Sequence, residues 1–173
     1  MGTRILIAID PGDVQSGYVK VAYDCSTFEV KKIIDKGKVE NSQIYDVLNT
    51  DYSYDLAVEM IASYGMAVGA TVFETCVKIG QFIQFALDVG YAEDIQRVYR
   101  KDEKLTLCHS LKAKDANITQ ALIDRYAPGQ PNMGKGTKNN PGFFYGFKKD
   151  VWQAFAVAVT YLDMKREVSM KNG

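Results

Sequence analysis

Residues Ile5 to Ile9 form an unbroken apolar run with no polar residue at alternate positions. Such a run predicts a strand buried on both faces, central in a mixed or parallel sheet. It ends on Asp10, and Pro11-Gly12 stops it. Gly17 then opens a second strand over Tyr18 to Tyr23, which makes a hairpin with the first. Phe28 to Glu40 carries a third strand, broken near Gly37. Asn41-Ser-Gln is followed by Ile44, Val47 and Leu48 at helical spacing, so a helix starts on polar residues there. Tyr54 to Ile61 is a second apolar strand interrupted by a carboxylate, Glu59.

From Val68 to Val89 the apolar positions Val72, Cys76, Ile79, Phe82, Ile83 and Ala86 follow a helical period, and Gly90 ends the helix. Ile95 to Tyr99 is a short strand, and Lys112 to Tyr126 is helical, closed by Pro128-Gly129. Gly129 to Gly146 is too rich in Gly, Pro and Asn for a regular element. Lys148 to Glu167 is a strongly apolar helix, with Trp152, Phe155, Ala156, Val159 and Leu162 on one side. Strands that can pair antiparallel, then helices alternating with strands, predict an α/β chain on a mixed sheet. The irregular loop, about 129–147, exceeds the usual length of a connection and is expected to be mobile or functional.

At 173 residues, 47% of them hydrophobic, the chain is expected to be one globular domain with a sizeable core. No stretch approaches the ~20 apolar residues of a membrane span, and no signal-type region opens the chain. Cys25, Cys76 and Cys108 are odd in number and lack CxxC spacing, which fits a reducing cytoplasm and argues against disulfides or zinc. With a single histidine, His109, any divalent ion would be held by oxygen ligands, as suits Mg²⁺ or Mn²⁺.

The net charge is formally zero, yet it is unevenly spread. Residues 1–96 hold 7 Lys/Arg against 14 Asp/Glu, whereas residues 97–149 hold 11 against 4. That segregation suggests an electrostatic face for a polyanion, although a solvated lysine-rich surface has the same composition.

Asp10 and Glu59 each lie within or at the end of an apolar strand, and Asp150 opens the last helix on the same face as Gln153, Ala154 and Val157. If the two strands are neighbours, the three carboxylates meet at one end of the sheet. They would then form an oxygen-rich site for one or two Mg²⁺ ions, the arrangement that supports phosphoryl displacement. Each also has a plainer reading. Asp10 before Pro-Gly is ordinary turn chemistry, Glu59 could pair with a lysine at a sheet edge, and Asp150 suits a helix N-terminus. Gly134-Lys-Gly-Thr137 lacks the spacing and the preceding strand of a phosphate loop.

Ile9-Asp10-Pro-Gly12 with Gly17, Val58-Glu59 and Asp150-Val-Trp-Gln153-Ala-Phe-Ala-Val-Ala158 resemble the RuvC family of Holliday-junction resolvases. The phage-encoded branch is the better match, since Lys138-Asn-Asn-Pro-Gly142 and Tyr145-Gly146 precede a Lys-Asp-Val-Trp helix there. The resemblance spans essentially the whole chain. It implies an RNase H-like fold with a central five-stranded mixed sheet flanked by helices, a homodimer, and paired cutting of four-way DNA junctions in recombination and repair. It also implies hydrolysis dependent on Mg²⁺, with Mn²⁺ as substitute and two ions per site. Location would be the cytoplasm, the host's if the gene is phage-borne.

By position, the resemblance makes Asp10, Glu59 and Asp150 the metal-binding carboxylates. Bacterial members carry a further aspartate where this chain has Gln153, an amide that can orient water but adds no charge. Lys104 and Lys114 are the nearest matches to functional lysines of bacterial members. With Lys112, Lys138, Lys148 and Lys149 they would hold backbone phosphates. Phe143, Phe144 and Tyr145 would either stack on unpaired bases at the crossover or anchor the loop to the body or a partner subunit. The helix Val68 to Val89, with Gly65, Gly69 and Gly80 permitting close approach, is the expected dimer seam.

Two other classes compete. Actin-like ATPases and sugar kinases share a related fold and a strand-ending Asp-x-Gly, but they need two domains and a second Gly-rich loop that this sequence does not supply. A non-catalytic branched-DNA-binding protein would gain nothing from carboxylates facing phosphate.

Overall fold

The computed structural model describes residues 2–173. Its elements run β1 (Thr3–Asp10), β2 (Gln15–Asp24), β3 (Val30–Glu40), α1 (Asn41–Leu48), β4 (Tyr54–Met60), α2 (Ala70–Val89), β5 (Ala92–Tyr99), α3 (Arg100–Cys108), α4 (Asp115–Tyr126) and α5 (Lys149–Asn172). The five strands form one sheet in the order β3-β2-β1-β4-β5. β1/β2 and β2/β3 are antiparallel, whereas β1/β4 and β4/β5 are parallel. The expected mixed sheet is therefore present, with β1 at its centre, and the unbroken apolar run is explained by burial on both faces.

Alternate residues of the strands feed two separate cores. Ile7, Ile9, Leu56 and Val58 meet Ile44 and Leu48 of α1 and Ile79, Phe82 and Ala86 of α2. Leu6, Ala8, Val19, Val21 and Ala57 meet α5 on the opposite face, with Ile118 and Leu122 of α4 behind it. α5 is buried from Val151 to Leu162 with Gln153 the one exception. This helix is apolar all round because it lies between the sheet and a further layer.

β5 starts earlier, at Ala92, and α5 runs on to Asn172, and three further elements differ from the sequence expectation. β3 runs on past Gly37, because the missing side chain makes room for the Tyr18 ring: a Cβ there would lie 3.2 Å from Tyr18 Cε1. The whole of α3 is absent from the sequence reading. Its Arg-Lys-Asp-Glu-Lys start carries too little apolar periodicity to signal a helix, and the Tyr99 amide donating to Asp102 Oδ2 at 3.0 Å starts it instead. α4 begins at Asp115 rather than Lys112, after the Lys114 amide donates to Asn117 Oδ1 at 2.8 Å. Among the described residues, no helix is long and apolar enough to cross a membrane.

Candidate active site

Register places the first two carboxylates side by side. Ile9 pairs with Val58 in the parallel β1/β4 ladder, so the next residue on each strand, Asp10 and Glu59, shares a level at the strands' C-terminal ends. Because Ile9 and Val58 point to the α1/α2 face, Asp10 and Glu59 point to the α5 face. Across the rest of the sheet Asp10 pairs with Gly17, Gly17 with Lys38, and Glu59 with Val98. Lys38, Gly17, Asp10 and Glu59 thus form one row facing α5.

Gly17 lets the third carboxylate join this row. A Cβ on Gly17 would lie 2.5 Å from the Asp150 carbonyl oxygen and 2.9 Å from its Cβ, so the start of α5 rests on bare backbone. Asp150 sits in the first turn of α5, where the helix dipole favours its charge. Its Oδ2 lies 3.3 Å from Lys38 Nζ. As the side chains lie, no three Asp, Glu, His or Cys residues among those described stand close enough to ligate one ion. Asp150 is paired with Lys38 instead.

The turn after β1 is tied down without Asp10. The Gly12 amide donates to Ser16 Oγ, Ser16 Oγ donates to Asn41 Oδ1, and Asn41 Nδ2 donates to the carbonyls of Gly12 and Asp13. Asp10 is therefore free of the turn-capping role its sequence context also allowed. Burial pushes its pKa upward, reinforced by the facing Glu59 carboxyl and then the Asp150 charge. Glu59 is raised as well, by burial first and the charge of Glu103 next. β4 is an interior strand, so Glu59 has no sheet-edge lysine. Two half-buried carboxyls facing each other at one level of the sheet are an oxygen donor set that fits a divalent ion.

Arg100, the first residue of α3, is the cation of this corner. It lowers the pKa of Asp10, Glu59 and Glu103. Its guanidinium binds Glu103 and Asp115. Sequence reasoning missed both Arg100 and Glu103, because neither lies in an apolar run and α3 gives little periodic signal.

The predicted DNA-facing residues separate into groups. Lys112, Lys114, Lys138, Lys148 and Lys149 are exposed, and Lys104 is half-buried. Lys149 and Gln153 line a hollow with Asp115 of α4 and Met133. Lys104 lines another with Arg100, Lys101 and Tyr64. Burial rules out base stacking by Phe144, whereas Phe143 is half-buried. Phe144 has no exposed surface and packs 4.4 Å from the Trp152 ring, against Phe147 and Phe155. Phe143 stacks on Tyr126 at 5.2 Å. The aromatic run anchors the loop, as its alternative reading held, and only Tyr145, at 43% exposure, is left outward. Gly134 turns with φ 75°, and a Cβ there would strike Ala127 and Phe144, so this part of the loop packs onto the body. His109 is the left-handed residue that ends α3.

No protein-family model and no curated protein matches the sequence. Solved structures do. Thermus thermophilus RuvC in complex with a Holliday junction substrate superposes with a TM-score of 0.67 at 14% identity, over 96% of this chain and 97% of that one. A second Thermus thermophilus RuvC structure gives 0.68 at 16% identity, over 95% and 96%. The Fowlpox virus resolvase, in complex with substrate Holliday junction DNA, gives 0.51 at 14% identity, over 93% and 98%. The chain therefore has the RuvC fold, an RNase H-like mixed sheet flanked by helices, along essentially its whole length.

Proposed function

We propose that this protein is a metal-dependent, structure-selective DNA endonuclease that resolves four-way junctions. The observation that carries the reading is the row at the strand ends: Asp10 beside Glu59, with Asp150 seated over Gly17, on a fold otherwise seen holding Holliday junctions. Asp10, Glu59 and Asp150 would hold Mg²⁺, or Mn²⁺ in its place, with two ions per site. When bound, such ions polarise the scissile phosphodiester and lower the pKa of the attacking water.

The chain's own groups do the rest. Asp10 and Glu59 would hold the cation in their ionised form. Asp150 would have to leave Lys38, whose ammonium could then meet a phosphate oxygen. Lys104, Lys112, Lys114, Lys138, Lys148 and Lys149 hold the DNA backbone, which makes binding salt-sensitive. Tyr145 is the aromatic available to stack on an unpaired base. Gln153, at the rim beside Lys149, orients water or a phosphate.

A homodimer completes the proposal. α2 presents Phe73 and Val77 to solvent, and nothing lies within 4 Å of a Cβ on Gly69 or Gly80, so a second copy of α2 can approach closely. Two-fold pairing would set two sites on opposed strands of a two-fold junction. Action in a cytoplasm, the host's if the gene is phage-borne, fits three free cysteines.

Labelled four-way junction, linear duplex and single strand, each incubated with protein and Mg²⁺, test the reading. Paired nicks in the junction, with the linear forms intact, are expected. Turnover of ATP with every DNA intact would instead support the kinase-like class.

A further inference from the structure

Glu103 is the most deeply placed carboxylate of this corner, and no motif pointed to it. It lies on the inner face of α3 with no solvent exposure. Its Oε2 accepts a bond from Arg100, while its Oε1 has no partner at all. A buried carboxylate oxygen left without a donor is costly, and such a group normally finds a second partner. Arg100 binds only the other oxygen of Glu103 and turns its second terminal nitrogen to Asp115.

The unpaired oxygen lies at the Glu59 end of the sheet: Glu59 pairs with Val98 near the end of β5, and Glu103 follows in the first turn of α3. After burial, Glu103 is the chief influence that raises Glu59. One guanidinium thus faces Glu59, Glu103 and Asp115 together. Glu103 is the member of this corner with an open acceptor. Meanwhile Gln153, at the position where an acid would be expected from the resemblance, adds no charge and lies beside Asp115 of α4.

We propose that Glu103 is the fourth acidic member of the metal centre, supplying from α3 the charge that Gln153 does not supply from α5. The inference rests on the metal-centre reading above. Glu103 acts from behind Glu59 as a positioning residue. It raises the negative potential of the cradle and orients Arg100 between the cradle and α4.

Calorimetric titration of the full chain with Mn²⁺, without DNA, tests it. Glu103→Gln keeps the shape and can still accept from Arg100, so it should bind Mn²⁺ at least tenfold more weakly than the natural protein. Adding Gln153→Asp to that variant should recover most of the loss, which a clamp on Arg100 alone would not do. If Glu103→Gln does not fold, Glu103→Asp retains the charge one methylene further back and should weaken Mn²⁺ severalfold. Natural affinity in the folded glutamate-103 variants, with Asp10→Asn binding weakly, overturns the role of Glu103 alone. Natural affinity in Asp10→Asn as well overturns the metal centre itself.

Discussion

Gly17 and Asp150 touch backbone to backbone: a Cβ on the glycine would stand 2.5 Å from the Asp150 carbonyl oxygen. Since Gly17 also pairs with Asp10 across the β1/β2 ladder, one missing side chain sets the spacing between the first carboxylate and the third. Gly17→Ala must push α5 off the sheet, because both clashing partners are backbone or Cβ atoms. Overpacking of this kind costs about 1–3 kcal/mol. We expect that loss in urea denaturation, together with loss of metal-dependent cleavage under conditions where the variant is still folded. A natural rate in a folded variant would contradict the spacing argument.

If Asp150 holds a divalent ion as proposed, Lys38 competes with that ion for it. The pair is half-exposed on both sides at 3.3 Å, and exposed pairs are worth about 0.2–1 kcal/mol. Lys38→Gln should therefore tighten Mn²⁺ binding by no more than about fivefold. If Lys38 also meets phosphate, junction affinity falls in the same variant. Weaker Mn²⁺ binding would show that Lys38 supports the metal site instead of competing with it.

The strand-end carboxyls make metal-free stability depend on pH. Burial raises Asp10 and Glu59, and burial also lifts Glu103 to about 7 despite Arg100. The native state thus keeps protons that the unfolded chain releases above about pH 4. Stability is fully present below that value and declines as pH rises through neutrality. In EDTA, Asp10→Asn should flatten this decline, measured as urea midpoints at pH 5, 7 and 8.5. An unchanged slope would mean that Asp10 does not carry the retained proton.

The loop aromatics predict opposite phenotypes for neighbours. Phe144 is wholly buried against Trp152, Phe147 and Phe155, so Phe144→Ala should cost about 3–5 kcal/mol of stability. Tyr145→Ala should leave stability nearly unchanged and weaken junction binding by about 1–3 kcal/mol, the worth of one stacked base. Calorimetric unfolding and a gel-shift titration separate the two effects. Equal junction binding by Tyr145→Ala and the natural protein would remove the loop from the DNA interface.

The strands that carry Asp10 and Glu59 were legible because burial on both faces leaves apolar runs in which a carboxylate stands out. α5 was legible for the same reason, and with it the place of Asp150. Register was not: side-by-side placement of Asp10 and Glu59 depends on β4 pairing parallel with β1, which no local pattern encodes. Lys38 and Arg100 escaped notice because a charged residue on an edge strand or a polar helix looks the same whether it faces solvent or a site. Phe144 misled in the opposite direction, since an aromatic in a glycine-rich loop gives no sign of which way it turns. Gly134 makes room for that ring, since a Cβ there would lie 2.9 Å from Phe144 Cδ2.

The central claim is that Asp10, Glu59 and Asp150 together make a metal-dependent cutting site for branched DNA. The most direct measurement compares the natural protein with Asp10→Asn on an end-labelled four-way junction, scoring binding in Ca²⁺ or EDTA and cleavage in Mg²⁺. The natural protein should introduce paired nicks near the crossover only with Mg²⁺. Asp10→Asn should bind the same junction with similar affinity and leave it uncut. Undiminished cleavage by Asp10→Asn, or cleavage by the natural protein in EDTA, would contradict the account.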